Sequence, residues 1–149
     1  MAYRTHTCNE LTLNDLGKTV SLAGWVDTVR DHGGVAFVDL RDQYGVTQVV
    51  MHDDALLKGL HKECVISITG EVVKRDAETV NPKIPTGELE VTVTDVQILG
   101  ACENALPFDV SESTDTREDV RLTYRFLDLR NQKMHENILF RSKVVSFLR

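Results

Sequence analysis

Apolar side chains recur at every second position through most of residues 19–99, and this alternation is typical of β-strands with one buried face. The segment GGVAFVDLRD (33–42) shows it most clearly. Its predicted core face carries Ala36, Val38 and Leu40. Its other face carries Val35, Phe37, Asp39 and Arg41. The alternation therefore predicts a strand whose phenylalanine stands among charged residues, on the face that is directed toward water.

Turn residues divide this region into five predicted strands. These strands are 19–31, 33–42, 46–51, 64–75 and 88–99. In the first strand, Gly24 marks a position where a bulge or a sharp bend is expected. Between the second and third strands, DQYG (42–45) predicts a hairpin turn in which Gly45 supplies a positive φ.

One short helix is predicted between the third and fourth strands, in DDALLKGLHKE (53–63), with Asp53 or Asp54 as its cap. This order of elements is that of an oligonucleotide/oligosaccharide-binding (OB) fold, an all-β, five-stranded Greek-key barrel. Small barrels fill their interior with side chains, which accounts for the alternation. A five-stranded barrel of the SH3 type has no helix at this position, so we favour the OB fold.

Beyond Gly100 the apolar spacing becomes helical, first over residues 117–131 and again over 132–149. The second helical segment has no glycine or proline stop at its end, which is typical of a helix that has been truncated. We therefore expect three parts: an OB domain over 1–104, a helical hinge or linker over 105–131, and a truncated C-terminal helix over 132–149.

Composition narrows the function classes. No apolar run of about 18 residues is present and the first ten residues are polar, so neither a membrane span nor a secretory signal is expected. The three cysteines are far apart and odd in number, which favours reduced thiols in the cytoplasm. A net charge of −6 argues against indiscriminate binding to nucleic acid. Any such function must therefore depend on a few placed contacts.

Signals for catalysis are weak. The five histidines show no metal-ligand spacing, and no nucleophile stands beside a histidine in a recognisable motif. Neither GxxxxGK[ST] nor GxGxxG occurs. We expect no catalytic residue, metal site or cofactor site within these residues.

Phe37 and Gln48 are the most informative candidates for binding. Three interpretations of Phe37 are open. It is either a surface aromatic without a role, or a side chain that a bulge rotates into the core, or a platform on which an unpaired base stacks. Gln48 can donate and accept hydrogen bonds, as base reading requires. Its position depends on the hairpin register, which sets it across from either Phe37 or Leu40. Nearby, Asp39 and Arg41 either contact a base or pair with each other.

Three further charged residues stand where the predicted strands approach this face. Arg30 ends the first strand, Arg75 follows the fourth, and Glu90 lies on the polar face of the fifth. A lone charge at a strand end is usually just solvated. A carboxylate beside a nucleic-acid site is more informative, because it repels phosphate and is useful mainly for accepting from the donor edge of a base.

Three segments together resemble one family: GWVDTVRDHGGVAFVDLRDQYGVTQVV, TGELEV and RLTYRFLDLRN. In order and spacing they resemble the N-terminal portion of bacterial-type aspartyl-tRNA synthetases, which are class II enzymes. The asparaginyl and lysyl enzymes share the OB domain and a related LDLR segment, and they form the alternative within this class. A free-standing OB module for single-stranded nucleic acid is an alternative from another class, as is a dimerisation or scaffold piece.

The resemblance implies a role for each candidate residue. Phe37 would stack on the central anticodon base of a tRNA, and Gln48 would hydrogen-bond to that base. Arg30 and Arg75 would contact nucleotides of the anticodon loop. Glu90 would read the donor edge of the first anticodon base, a guanine or its modified form. Two departures stand out, since Asp27 to Val29 occupy positions where many relatives carry arginines, and Thr79 replaces a more usual asparagine.

The resemblance also implies what a longer protein would do. The full-length enzyme would use ATP and magnesium to ligate aspartate to its tRNA in the cytoplasm, as a homodimer. Residues 132–149 would form the start of the helix in the first class II motif, so this fragment would bind RNA without activating an amino acid.

Overall fold

The computed structural model describes residues 3–149, apart from the side chain of Asp54; the first two residues of the predicted OB domain lie outside the described residues. The strands are β1 (Thr19–Asp31), β2 (Ala36–Arg41), β3 (Val46–Met51), β4 (Val65–Lys74) and β5 (Leu89–Gly100). The helices are α1 (Asp54–Leu57), α2 (Glu118–Thr123), α3 (Arg125–Asp128) and α4 (Gln132–Leu148). In the described residues, 3-10 turns occur at Leu13–Asp15, Ala77–Thr79 and Ser113–Asp115. No helix in this part of the chain is both long and apolar enough to cross a membrane.

The strands close into a barrel in the order β1-β2-β3-β5-β4, which confirms the predicted OB fold. Neighbouring strands are antiparallel, except that β3 and β5 pair in parallel. Helix α1 comes between β3 and β4, as predicted, and Asp53 caps it by accepting from the backbone N–H of Ala55 at 2.8 Å. The barrel therefore brings β1, β2, β3 and β5 onto one continuous surface.

Strand alternation fills the barrel. In β2, buried and half-buried side chains alternate residue by residue, and Ala36, Val38 and Leu40 are the buried ones. The core continues through aliphatic residues of the other four strands, and Leu56, Leu57 and Leu60 pack against it. Because this interior is closed, side chains of the opposite set are left on the outside of the barrel.

The first strand bends at a different place from the one predicted. Its bulge lies at Asp27, between the pairs that Val26 and Thr28 make with β2. Gly24 instead permits a close approach between strands, since a Cβ there would lie 2.3 Å from the backbone oxygen of Arg41. At this point β1 changes partner, pairing with β4 before Trp25 and with β2 after it.

The predicted role of Gly45 is also wrong. Gly45 does not have a positive φ, and the hairpin is held by Asp42, whose Oδ1 accepts from the backbone N–H groups of Tyr44 at 2.7 Å and Gly45 at 3.0 Å. A Cβ on Gly45 would lie 2.8 Å from that of Asn9. The glycine is needed for space.

The chain divides into two units, one ending at Glu103 and the other beginning at Asn104. In the second unit, the helical spacing over 117–131 forms two short helices, separated at Tyr124, where φ and ψ are −107° and 45°. Leu127 packs in a small apolar cluster, and Asn131 caps α4 by accepting from the backbone N–H of Met134 at 3.3 Å. The roles predicted for the hinge and for the last helix stay predictions.

Candidate nucleic-acid interface

Phe37 lies on the outer face of β2 and is half-buried. Its neighbours Ala36 and Val38 are buried in the barrel, so no bulge turns the ring inward. The ring meets the imidazole of His32 edge-on, with centroids 5.7 Å apart and an interplanar angle of 74°. One aromatic surface is therefore available beside the loop between β1 and β2.

The register of β2 and β3 matches neither of the two alternatives considered for Gln48. Asp39 pairs with Gln48, Phe37 pairs with Val50, and Arg41 pairs with Val46. Residues that lie opposite each other on paired strands share a face. Gln48 therefore lies on the same face as Asp39 and Phe37, and its partner Asp39 is two residues beyond Phe37 along β2. Only 3% of Gln48 is exposed.

A chain of hydrogen bonds orders the polar groups beside the ring. Arg30 Nη2 donates to Asp39 Oδ1 at 2.9 Å and to Oδ2 at 3.1 Å, and Thr28 Oγ1 donates to Asp39 Oδ2 at 2.6 Å. Arg30 Nη2 also donates to Gln48 Oε1 at 3.2 Å. From the other side of the amide, Gln48 Nε2 donates to Glu90 Oε2 at 2.8 Å.

These partners fix which way the amide of Gln48 points. A reversed amide would set its N–H groups against the guanidinium of Arg30 and its carbonyl against the carboxylate of Glu90. The network therefore holds one donor and one acceptor in defined places. Since each atom has capacity for a second hydrogen bond, the amide can still engage a ligand.

Arg75 is the least satisfied polar group of this site. Its side chain is only 9% exposed, and its nearest charged partner is Glu90, with 3.8 Å between Nε and Oε2. Neither Nε nor Nη1 of Arg75 has a hydrogen-bond partner. Buried donors without partners cost about 1–3 kcal/mol each, which an acceptor on a ligand would recover.

All five residues singled out in the sequence line one open cleft of about 330 Å³. The cleft is also lined by His32, Lys74, Asp76 and Thr79, which the sequence reasoning did not place in the site. Their positions follow from the ends of the strands, since His32 directly follows β1 and the other three follow or end β4. An aromatic ring together with side-chain donors and the carboxylates of Glu90 and Asp76 suits a flat ligand with a polar edge, such as an unpaired base.

Asp39 and Arg41 do not pair with each other. Asp39 binds Arg30, whereas Arg41 Nε lies 3.0 Å from Asp27 Oδ1 and Nη2 donates to Glu63. Asp27 and Thr28 are thus both bound to other side chains on the outside of the barrel, Asp27 to Arg41 and Thr28 to Asp39. In the described part of the chain, no group of three or more His, Cys, Asp or Glu residues could hold a metal ion.

Comparison with known proteins gives a consistent result. The model of the tRNA anti-codon family, described as an OB-fold nucleic acid binding domain, matches residues 20–99. An aspartate–tRNA(Asp/Asn) ligase of Paracoccus denitrificans is 53% identical, over 99% of this chain and 26% of the relative. The chain therefore spans about a quarter of the length of such relatives.

Solved structures share the fold. The asparaginyl-tRNA synthetase of Pyrococcus horikoshii superposes with a TM-score of 0.66 and 27% identity, covering 85% of this chain and 30% of that one. The aspartyl-tRNA synthetase of Entamoeba histolytica gives a TM-score of 0.70 at 21% identity, covering 83% of this chain and 32% of that one, and it supports the fold alone.

Proposed function

The chain belongs to the tRNA anti-codon family of OB-fold nucleic acid binding domains, and on that premise we propose that its cleft binds the anticodon loop of a transfer RNA. The observation that carries this proposal is the hydrogen-bonded pair of Gln48 and Glu90 beside the outward ring of Phe37. A ring alone would favour any base, whereas an ordered amide and carboxylate next to it favour particular base edges.

Each residue has a role in this proposal. Phe37 stacks on the central anticodon base, and Gln48 hydrogen-bonds to the edge of that base. Glu90 accepts from the donor edge of the first anticodon base. Arg30 and Arg75 contact anticodon-loop nucleotides, and the unpartnered donors of Arg75 support its share of this role.

We further propose that the chain acts as the anticodon-binding part of a longer aspartate–tRNA ligase of the cytoplasm, a homodimer whose reaction uses ATP and magnesium. The name of the relative from Paracoccus denitrificans supports this proposal, and the chain spans 26% of that relative. Among the residues that the structure describes, no group of three or more His, Cys, Asp or Glu residues could hold a metal ion. The chain's own contribution is recognition of the RNA.

A binding experiment tests the proposal. Fluorescence anisotropy would measure the affinity of the 149-residue chain for an RNA hairpin carrying the anticodon loop of an aspartate tRNA. The controls are the same hairpin with its anticodon bases exchanged for those of a lysine tRNA, and an unstructured RNA of equal length. We expect the aspartate hairpin to bind most tightly. Equal affinity for all three RNAs would contradict the proposal and favour a general single-strand binder, and preference for another anticodon would favour a different synthetase.

A further inference from the structure

Asp39 does not line the cleft, yet it controls a residue that does. Its carboxylate accepts from Arg30 Nη2 through both oxygens, at 2.9 and 3.1 Å. Thr28, which does not line the cleft, donates from Oγ1 to the same carboxylate at 2.6 Å and so helps to hold it in place. The Arg30 side chain is 50% exposed, so without this partner it would be free to turn toward solvent.

We propose that Asp39 is a positioning residue that determines specificity. It holds Arg30 in its hydrogen bond with Gln48, which is bonded to Glu90, and so keeps the guanidinium from contacting the phosphates of the RNA backbone. The inference rests on the proposed function, because it concerns how the same cleft distinguishes one anticodon loop from another.

The first part of the argument is electrostatic. Phosphates attract an exposed guanidinium whatever the base sequence, and such contacts add affinity without adding specificity. A carboxylate held against Arg30 offsets that attraction and also repels the backbone itself. Asp39 therefore weakens the sequence-independent attraction to every RNA, which lowers the salt dependence of binding; by itself this leaves the ratio of affinities for two hairpins unchanged.

The second part is geometric. Arg30 is the donor that holds Gln48 Oε1, at 3.2 Å, and Gln48 in turn holds Glu90. If Arg30 turned toward phosphate, the amide would lose the partner that fixes its direction at one end. The orientation of the reading groups on β3 and β5 thus depends on a carboxylate on β2.

The test compares Asp39→Asn with the matched variant Asp95→Asn, which removes the same charge from an exposed position on β5 outside the cleft. Both are measured by anisotropy against the aspartate hairpin and the exchanged hairpin over a range of salt concentrations. For Asp39→Asn we expect the preference for the aspartate hairpin to fall about tenfold. The logarithmic salt dependence for the exchanged hairpin should steepen by about 0.7, the value for one added phosphate contact on a single strand.

A second variant, Thr28→Val, keeps the shape of the side chain and removes the hydroxyl that holds Asp39. It should reduce the preference in the same direction and by a smaller factor. Thermal unfolding of each variant is recorded alongside, since a merely structural role would lower the midpoint and weaken both hairpins equally.

The outcomes separate the two proposals. If the unmodified chain prefers the aspartate hairpin and Asp39→Asn keeps that preference, the role of Asp39 is overturned while the proposed function stands. Equal weakening of both hairpins by Asp39→Asn, or an equal loss of preference in Asp95→Asn, also overturns it. If the unmodified chain shows no preference, the proposed function fails and this inference fails with it.

Discussion

Gln48 and Glu90 stand 42 positions apart in the sequence and are joined by a hydrogen bond of 2.8 Å from Nε2 to Oε2. The parallel pairing of β3 with β5, in which Val49 lies opposite Val91, brings the two side chains together. Oε2 of Glu90 thus accepts a hydrogen bond from Gln48, and the two side chains form the polar edge of the cleft beside Phe37.

Replacing Glu90 with glutamine should remove discrimination at the first anticodon base. A carboxylate offers acceptors only, as a guanine donor edge requires, whereas an amide offers one acceptor and one donor. We expect the preference for guanine over adenine at that position to fall by about 1–3 kcal/mol. Competition between the aspartate hairpin and the same hairpin with adenine at its first anticodon position would measure this change in preference. Uniform weakening toward every hairpin would count against a reading role for this residue.

Phe37→Ala should lower the affinity for the hairpin by about 1–3 kcal/mol, the contribution of one base stacked on an aromatic ring. Because the ring is outside the core, the thermal midpoint of the free protein should change little. Calorimetric titration and thermal unfolding would measure the two effects.

The neighbouring substitution Val38→Ala provides the control, since Val38 is fully buried. It should lower the free energy of unfolding by about 2 kcal/mol and leave the affinity of the folded protein almost unchanged. If Phe37→Ala destabilised the barrel as much as Val38→Ala does, the ring would be a core residue and its stacking role would have to be abandoned.

Arg75→Met should separate binding from stability. The guanidinium has two buried nitrogens without hydrogen bonds, so its removal relieves a desolvation cost while it ends the 3.8 Å ion pair with Glu90. We expect the free energy of unfolding to change by less than about 1 kcal/mol and the hairpin affinity to fall about tenfold.

Lys58→Met is the matched control for Arg75→Met, because Lys58 is exposed and lies outside the cleft. It should reduce affinity much less at moderate salt, where distant charges are screened. Equal losses from the two variants would mean that Arg75 acts only through net charge.

The second unit should lose stability in acid through Asp128. Although burial of this carboxyl acts in the opposite direction, hydrogen bonds from Arg121 and Ser113, each at 3.0 Å, hold the pKa of Asp128 below its ordinary value of 3.8. A lowered pKa in the folded state stabilises the fold above the ordinary value, and this contribution is lost as the pH falls through the lower one.

Asp128→Asn should therefore reduce the free energy of unfolding at pH 7 by about 2 kcal/mol. The difference from the unmodified chain should shrink as the pH falls below 3.8, the ordinary pKa of the carboxyl. Urea unfolding followed by the circular dichroism of the helices would measure it. A difference that stayed constant over this range would show that the charge of Asp128 contributes nothing.

Gly24→Ala should destabilise the barrel by about 3 kcal/mol, because the new methyl group would meet the backbone oxygen of Arg41, which the β1–β2 ladder holds in place. Gly100→Ala is the control, since a Cβ there lies in ordinary contact, 3.7 Å from Val65. Thermal unfolding of both variants would test this, and equal midpoints would show that the strands adjust to the methyl group.

Much of the fold could be predicted from the sequence because its determinants are local. The period of two in 33–42 reflects the pleat of a strand, so the core face and the outward position of Phe37 relative to Val38 could be assigned without coordinates. The leucines after Asp53 likewise specified a short helix at the position that distinguishes an OB barrel.

The predictions that were wrong concern positions whose role depends on contacts with a neighbouring strand or turn. Gly24 has an ordinary backbone conformation and is required because the carbonyl of Arg41 approaches it, which no local pattern records. The register of Gln48 depended on a turn whose geometry comes from the Asp42 side chain.

By itself the sequence determined which residues are apolar at which period, and hence the elements, their order and the residue types available on the outer face. Only the tertiary structure decided that Asp39 holds Arg30, that Arg30 and Glu90 fix the amide of Gln48, and that Arg75 keeps unpartnered donors. The physical reason is that burial depends on the period along one strand, whereas hydrogen bonds between side chains depend on distances across strands, and closure of the barrel sets those distances.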